Sequence, residues 1–139
     1  MVEVKLNIIE LQGDGFHPLV EVVLFGQPFT LVLDTGASKT TFDKEMLKEA
    51  KLSITLLSSD KLSTGLGTTT MESFSATIDD MQITGLQIPQ FEVAVLDLST
   101  INHAYAQLNL PSVLGVLGGD LLMQHMAIID YGKSTMILH

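Results

Sequence analysis

The sequence of 139 residues has no cysteine, no cluster of basic residues and no long apolar run. Disulfide bonds and thiolate metal sites are therefore excluded. The 16 acidic residues outnumber the 7 basic ones, and a net charge of -9 would repel a phosphate backbone, so we expect no nucleic-acid partner. No segment approaches the roughly 20 apolar residues that a membrane-spanning helix needs, so we expect no membrane partner.

The amino terminus lacks the pattern of a secretory signal. Residues 1–9 alternate polar or charged side chains with apolar ones, whereas a secretory signal has a basic stretch followed by an apolar core. The sequence therefore predicts a cytoplasmic protein, unless this chain is trimmed from a longer precursor.

Short segments rich in Val, Ile, Leu and Thr recur between glycines along the chain. This pattern is typical of an all-β barrel or sandwich. The length and the 46% share of hydrophobic residues suit one core, so we predict a single domain over residues 1–139. The predicted helices cover residues 43–50, with Asp43 as the cap, 99–108, with Ser99 as the cap, and 120–126. The predicted strands cover residues 2–11, 19–25, 29–33, 39–42, 54–62, 68–78, 81–88, 91–96, 127–130 and 135–138.

An acidic residue stands at the end of the apolar segment Leu31-Val-Leu33, in the sequence Asp34-Thr35-Gly36. The strand before it would hold the carboxylate at the mouth of a buried sheet, between a residue with a hydroxyl group and one without a Cβ atom. The alternative interpretation is a plain β-turn with Asp at its first position. The triplet alone does not decide between the two.

A second segment, Gly115 to Leu122, reads Gly-Val-Leu-Gly-Gly-Asp-Leu-Leu. Taken alone, an apolar strand, a glycine turn and a helix capped by Asp120 form an ordinary strand-to-helix connection. It becomes specific when it occurs in the same chain as the segment around Asp34.

Together, these two segments resemble the retropepsin-like aspartic peptidases, the family of retroviral proteases and their cellular and bacterial relatives. Residues 31–38 resemble the catalytic loop of that family, and residues 115–122 resemble its apolar segment followed by the C-terminal helix. The glycines at residues 65–67 stand where the family carries its flap. The resemblance implies an all-β fold, a closed retropepsin-like barrel with a flap hairpin and two or three short helices.

The chain carries a single Asp-Thr-Gly triplet, whereas activation of water on an amide needs two carboxyl groups that share one proton. Asp120 suits a helix cap and Asp130 suits a turn. The second carboxylate is therefore predicted to come from another copy of the chain, with a two-fold axis between the two Asp34 side chains. The resemblance implies that Thr35 bonds across this axis, and Gly36 permits a close approach of the backbone.

The resulting expectation is a homodimeric aspartic endopeptidase that hydrolyses an extended peptide or protein substrate without a metal or an organic cofactor. The alternative is a catalytically silent or latent retropepsin-like module that serves dimerisation or peptide binding. The predicted catalytic residues are Asp34, Thr35 and Gly36, and the predicted substrate-binding residues are Ala37, Ser38, Gly65, Leu66, Gly67, Val116 and Leu117.

The two ends of the chain, residues 2–9 and 135–138, are apolar enough to need cover. The resemblance implies that these strands interleave across the dimer. The alternative is that they pair within one chain as edge strands.

Overall fold

The computed structural model describes residues 1–59 and 72–139. The predicted hairpin tip, with Gly65, Leu66 and Gly67, lies outside these residues. Strands dominate the described part of the chain: β1 Val2–Lys5, β2 Asn7–Glu10, β3 Phe16–Leu24, β4 Gln27–Leu33, β5 Thr41–Asp43, β6 Leu57–Ser58, β7 Phe74–Ile78, β8 Met81–Ile83, β9 Leu86–Gln87, β10 Phe91–Leu96, β11 Gly115–Leu117, β12 Ile128–Asp130 and β13 Thr135–Leu138. The helices are α1 Lys44–Ala50, α2 Ser99–Gln107 and α3 Gly119–Gln124.

The strands form one large and one small sheet. The large sheet has the order β6-β7-β10-β5-β11-β4-β3-β8-β9, with β2 beside β3, and the small sheet has the order β1-β13-β12. The mostly β prediction is thus confirmed, but the large sheet is an open path, and no closed barrel is found among the described residues. Its end strands β6 and β9 have two residues each, which leaves few backbone groups for a ladder that would close it.

Strand β11 lies between β4, to which it is parallel, and β5, to which it is antiparallel. Because successive side chains of a strand point to opposite faces, these strands contribute to two cores. Leu31 and Leu117 are fully buried in the main core. Val32 and Val116 face the other side, where Tyr105 of α2 covers them.

The close approach of β11 to β5 depends on Gly115. A Cβ atom at this position would overlap with the carbonyl oxygen of Thr41 and lie 2.9 Å from the Cα atom of Phe42. Since both of these atoms belong to the backbone, a larger residue could be accommodated only if the strands moved apart. Gly115 therefore sets the spacing between β5 and β11, and β11 in turn pairs with β4, which leads to residue 34.

Helix α1 covers the predicted residues and begins at the predicted cap. The carboxylate of Asp43 accepts hydrogen bonds from the N–H groups of Met46 at 3.1 Å and Leu98 at 2.8 Å. Ser99 was expected to cap α2 but is its first residue, and the N–H of Ser99 donates instead to the carboxylate of Asp97 at 2.9 Å. The same carboxylate has a pKa below its usual value because of its hydrogen bonds with Ser99.

Two predicted strands are each divided in the structure. Thr84 and Gly85 have φ angles of 50° and 81°, which is the geometry of a two-residue hairpin turn, so residues 81–88 form β8 and β9. Residues 2–11 divide at the buried Leu6 into β1 and β2, which belong to different sheets.

The two ends of the chain pair with each other in one copy. Strand β1 runs antiparallel to β13, with Val2 opposite Leu138 and Lys5 opposite Thr135. This pairing within one chain is the alternative that the sequence left open, and interleaving of these strands across a dimer stays a prediction. In the described part of the chain, no helix has the length and apolar character needed to cross a bilayer.

Replacing Gly115 by Ala should lower the free energy of unfolding by about 1–3 kcal/mol, since the added methyl group must displace a neighbouring backbone. Urea unfolding at equilibrium measures this loss. Gly119→Ala is the matched control, because its added Cβ would lie at an ordinary 3.4 Å from the nearest atom, the oxygen of Ala37. Equal midpoints for the two variants would contradict the prediction.

Candidate active site

Asp34 stands where the parallel strands β4 and β11 end. Its N–H donates to the carbonyl oxygen of Leu117 at 3.0 Å, which extends the pairing of the two strands by one residue. The strands themselves are buried, whereas Asp34, Thr35 and Gly36 are exposed. The buried strands thus hold the carboxylate of Asp34 at the surface, exposed to solvent.

The loop after β4 begins with a tight turn. The N–H of Ala37 donates to the backbone oxygen of Asp34 at 3.1 Å, and the N–H of Gly36 donates to the Oδ1 atom of Asp34 at 3.0 Å. A Cβ atom on Gly36 would lie only 3.3 Å from that oxygen. The chain therefore does form a turn with Asp first, and this turn fixes the orientation of the carboxylate while leaving it exposed.

Thr40 ties the far end of the loop to α3. It is fully buried, and its hydroxyl donates to the Oδ1 atom of Asp120 at 2.7 Å and accepts from the N–H of Gly118 at 3.0 Å. The N–H of Thr40 donates to the same Oδ1 atom at 2.9 Å, as does the N–H of Leu121 at 2.8 Å. One carboxylate oxygen of Asp120 thus accepts three hydrogen bonds, two from Thr40 in the loop and one from Leu121 in its own helix.

This network corrects the role predicted for Asp120. The N-cap of α3 is Gly118, and Asp120 lies in the first turn of the helix, where its carboxylate also holds the loop. Thr40 was missed altogether, since 80 residues separate it from its partner and spacing within a sequence does not reveal such pairs. Its only local signal is a hydroxyl residue immediately before the mostly buried strand β5.

Two glycines let α3 begin directly against the loop. A Cβ atom on Gly118 would lie 2.7 Å from the carbonyl carbon of Lys39 and 2.9 Å from the oxygen of Ala37. The N–H of Gly119 donates to that oxygen of Ala37 at 2.7 Å. Residues 115–122 therefore support the loop that follows residues 31–33 and contains Asp34.

Lys39 carries the other charge in the loop. Its ammonium group forms an ion pair with Glu92 of β10 at 2.8 Å, with both side chains well exposed. An exposed pair of this kind contributes only about 0–1 kcal/mol to stability. The pair orients Lys39 towards β10, and the buried network of Thr40 accounts for the anchoring of the loop.

The predicted substrate-binding residues fall into three groups. Ala37 is half-buried and Ser38 is exposed, and both follow Asp34 in the loop. Leu117 is fully buried in the main core, and Val116 packs beneath α2, so the apolar subsite expected at these two residues does not fit their burial. The third group, residues 65–67, lies outside the described residues.

No curated protein matches the chain, but solved structures do. The retroviral protease-like domain of Ddi1 from Leishmania major is 17% identical, with 86% of each chain covered and a TM-score of 0.58. A retropepsin-like aspartic protease from Rickettsia conorii is 18% identical over 99% of this chain and 87% of that one, with a TM-score of 0.54. The EIAV protease, solved with the inhibitor HBY-793, is 20% identical over 84% of this chain and 93% of that one, with a TM-score of 0.56.

At these identities, the structural similarity establishes the fold, which is retropepsin-like. The sequence itself matches the profile of the aspartyl protease family over residues 20–121. That range includes β4, the Asp34 loop, β11 and the start of α3, which together form the site described above. The resemblance inferred from the sequence is confirmed, and the chain belongs to the aspartyl protease family.

Proposed function

We propose that this chain is one protomer of a homodimeric aspartic endopeptidase, in which Asp34 of each copy contributes one of the two catalytic carboxyl groups. The observation that carries the proposal is the exposed Asp34 carboxylate, held by its own turn at the end of the paired strands β4 and β11. Membership of the aspartyl protease family supports the same reaction class.

The chemistry requires one carboxylate and one carboxylic acid. The carboxylate accepts a proton from a water molecule, whose oxygen forms a bond to the carbonyl carbon of the peptide. The carboxylic acid donates its proton to the carbonyl oxygen, so that no free oxyanion accumulates. Two carboxyl groups a few Å apart supply this pair because both cannot ionise readily at once.

A single copy offers only one such group in the loop. The Oδ1 atom of Asp120 is engaged by the donors of Thr40 and Leu121. Asp130 is the last residue of β12, and its carboxylate accepts from the N–H of Lys133 in the following turn at 2.9 Å. The structural roles of both acids favour a second copy as the source of the second catalytic carboxyl group.

Within this proposal, Thr35 bonds across the two-fold axis and Gly36 allows the two loops to approach. Ala37 and Ser38 contact the substrate beside the scissile bond, and residues 65–67 cover it as a flap. The substrate is an extended peptide or a protein segment. The single domain and the cytoplasmic location also stay predictions.

Asp34→Asn should reduce peptide cleavage at least about a thousandfold, because an amide cannot accept the proton of the attacking water. The fold should be retained, since the side chain is exposed. Mass spectrometry of a diverse peptide pool, incubated at acidic and at near-neutral pH, counts the new termini.

The matched control for this experiment is Asp14→Asn, which changes an exposed acid in the loop between β2 and β3 and should cleave like the wild type. Undiminished cleavage by Asp34→Asn would refute the proposed mechanism. If the wild type itself generates no new termini, the silent or latent binding module becomes the better description.

Thr40→Val should lower the free energy of unfolding by about 1–3 kcal/mol and also lower kcat, since it removes one of the three donors to Asp120 and leaves the buried N–H of Gly118 without its partner. Thr41→Val is the control, because the half-buried hydroxyl of Thr41 makes one 3.1 Å bond to the oxygen of Lys39. Urea unfolding and peptide kinetics on both variants test the prediction. Indistinguishable values for the two would show that the buried network does not position the loop.

A further inference from the structure

The face of β4 that carries the Asp34 side chain is the face that α2 covers. Successive side chains of a strand point to opposite faces, and the pairing of β4 with β11 continues through the N–H of Asp34, which donates to Leu117 at 3.0 Å. Asp34 therefore shares a face with Val32, whereas Leu31 and Leu33 lie in the main core. A substrate that reaches the carboxylate must lie over the face of Val32.

The apolar side chains on this face form one cluster, which we call the smaller core. Its buried members come from β3, β4, α2 and the segment before β11, and half-buried side chains pack around them. Two residues of an extended strand span about 7 Å, so the smaller core begins within reach of a peptide side chain next to Asp34. The buried members are Leu19, Val32, Tyr105 and Val113, and the half-buried ones are Ile9, Ile101, Leu110 and Val116.

Tyr105 has the largest side chain of the smaller core. It is only 4% exposed, and its hydroxyl shares a hydrogen bond of 2.7 Å with the Nδ1 atom of His17 on β3. The ring is thus held at its tip as well as by its helix. It occupies the space over Val32 and Val116 that a substrate side chain would otherwise enter.

Helix α2 is fastened to the segment before β11 by further hydrogen bonds. The side-chain amide of Asn102 donates to the carbonyl oxygen of Val113 at 3.0 Å, and its Oδ1 atom accepts from the N–H of Val113 at 2.7 Å. The N–H of Leu110 donates to the carbonyl oxygen of Tyr105 at 2.9 Å. These bonds favour a fixed cover over one that opens for each substrate.

We infer that Tyr105 restricts the substrate to small side chains beside the scissile bond, namely Gly, Ala or Ser, because the apolar space that a large side chain would need is already filled. The inference rests on the proposed function for the two-copy site. A two-fold axis in that site presents the same face to each side of the scissile bond. The restriction therefore applies both to the residue before the bond and to the residue after it.

Tyr105→Ala tests the inference, since it empties the space over Val32. Mass spectrometry of a diverse peptide pool should show that the wild type cleaves mainly between small residues. In the variant, the share of cleavages next to Phe, Leu or Met should rise at least about tenfold, because one methylene group more or less in an apolar pocket already changes discrimination by about 10–200-fold.

Two control variants separate the filled space from other effects. Tyr105→Phe keeps the ring but loses the hydrogen bond to His17, and it should keep the wild-type preference. Ile83→Ala opens a cavity in the main core instead, and it should also keep that preference. A shift in either control as large as that of Tyr105→Ala would overturn the inference.

Tyr105→Leu guards against a folding defect in Tyr105→Ala. Leucine is a good helix former and leaves part of the space filled, so the circular dichroism spectrum should be unchanged. The preference should shift towards large residues, by less than in Tyr105→Ala. An unchanged preference in the folded variants would contradict the role of Tyr105.

The cleavage sites of the wild type separate this inference from the proposed function. Cleavage between small residues that disappears in Asp34→Asn supports both. Cleavage between large apolar residues that disappears in Asp34→Asn upholds the proposed function and overturns the role of Tyr105, whatever the variants at residue 105 show. A wild type that generates no new termini refutes the proposed function, and the inference falls with it.

Discussion

The hydrogen bonds between Thr40 and Asp120 hold the site together. They join the end of the Asp34 loop to the start of α3, and Thr40 itself is fully buried. Inside a protein such a network is favourable only when every member is satisfied. Here the hydroxyl of Thr40 donates to Asp120 and accepts from the N–H of Gly118. The position of Asp34 is thus set by polar contacts behind it.

Two cores cover strands β4 and β11 from opposite sides. The main core holds Leu31 and Leu117, while the smaller core beneath α2 holds Val32 and Val116. Residues 31–33 of β4 and residues 115–117 of β11 are covered on both faces as a result, which is why no polar side chain occurs in either segment. The Asp34 loop is held in place at its start by these rigid strands. That rigidity lets a small exposed turn present a carboxylate in one orientation.

Contacts between residues close together in the sequence could be predicted, whereas contacts between distant residues could not. Helix α1 and its cap Asp43 were predicted because the capping residue lies next to the helix it caps. The Asp34 loop and the family followed from two short motifs. The second role of Asp120 was missed because its partner is 80 residues away. Leu117 was predicted to bind substrate because an apolar residue in a motif suits a binding pocket as well as a core, and its burial in the main core became visible only with the register of β11.

The same sequence separation bears on how the protein is made. Ribosomes add about 5–20 residues per second. Asp120 is therefore added to the chain about 4–16 s after Thr40, because the two residues are 80 positions apart. Strand β11 also arrives late, and until then β4 lacks its parallel neighbour. The nascent chain therefore carries Asp34 on an unsupported loop until the segment from β11 to α3 has been made. Assembly of the site is coupled to the synthesis of that segment.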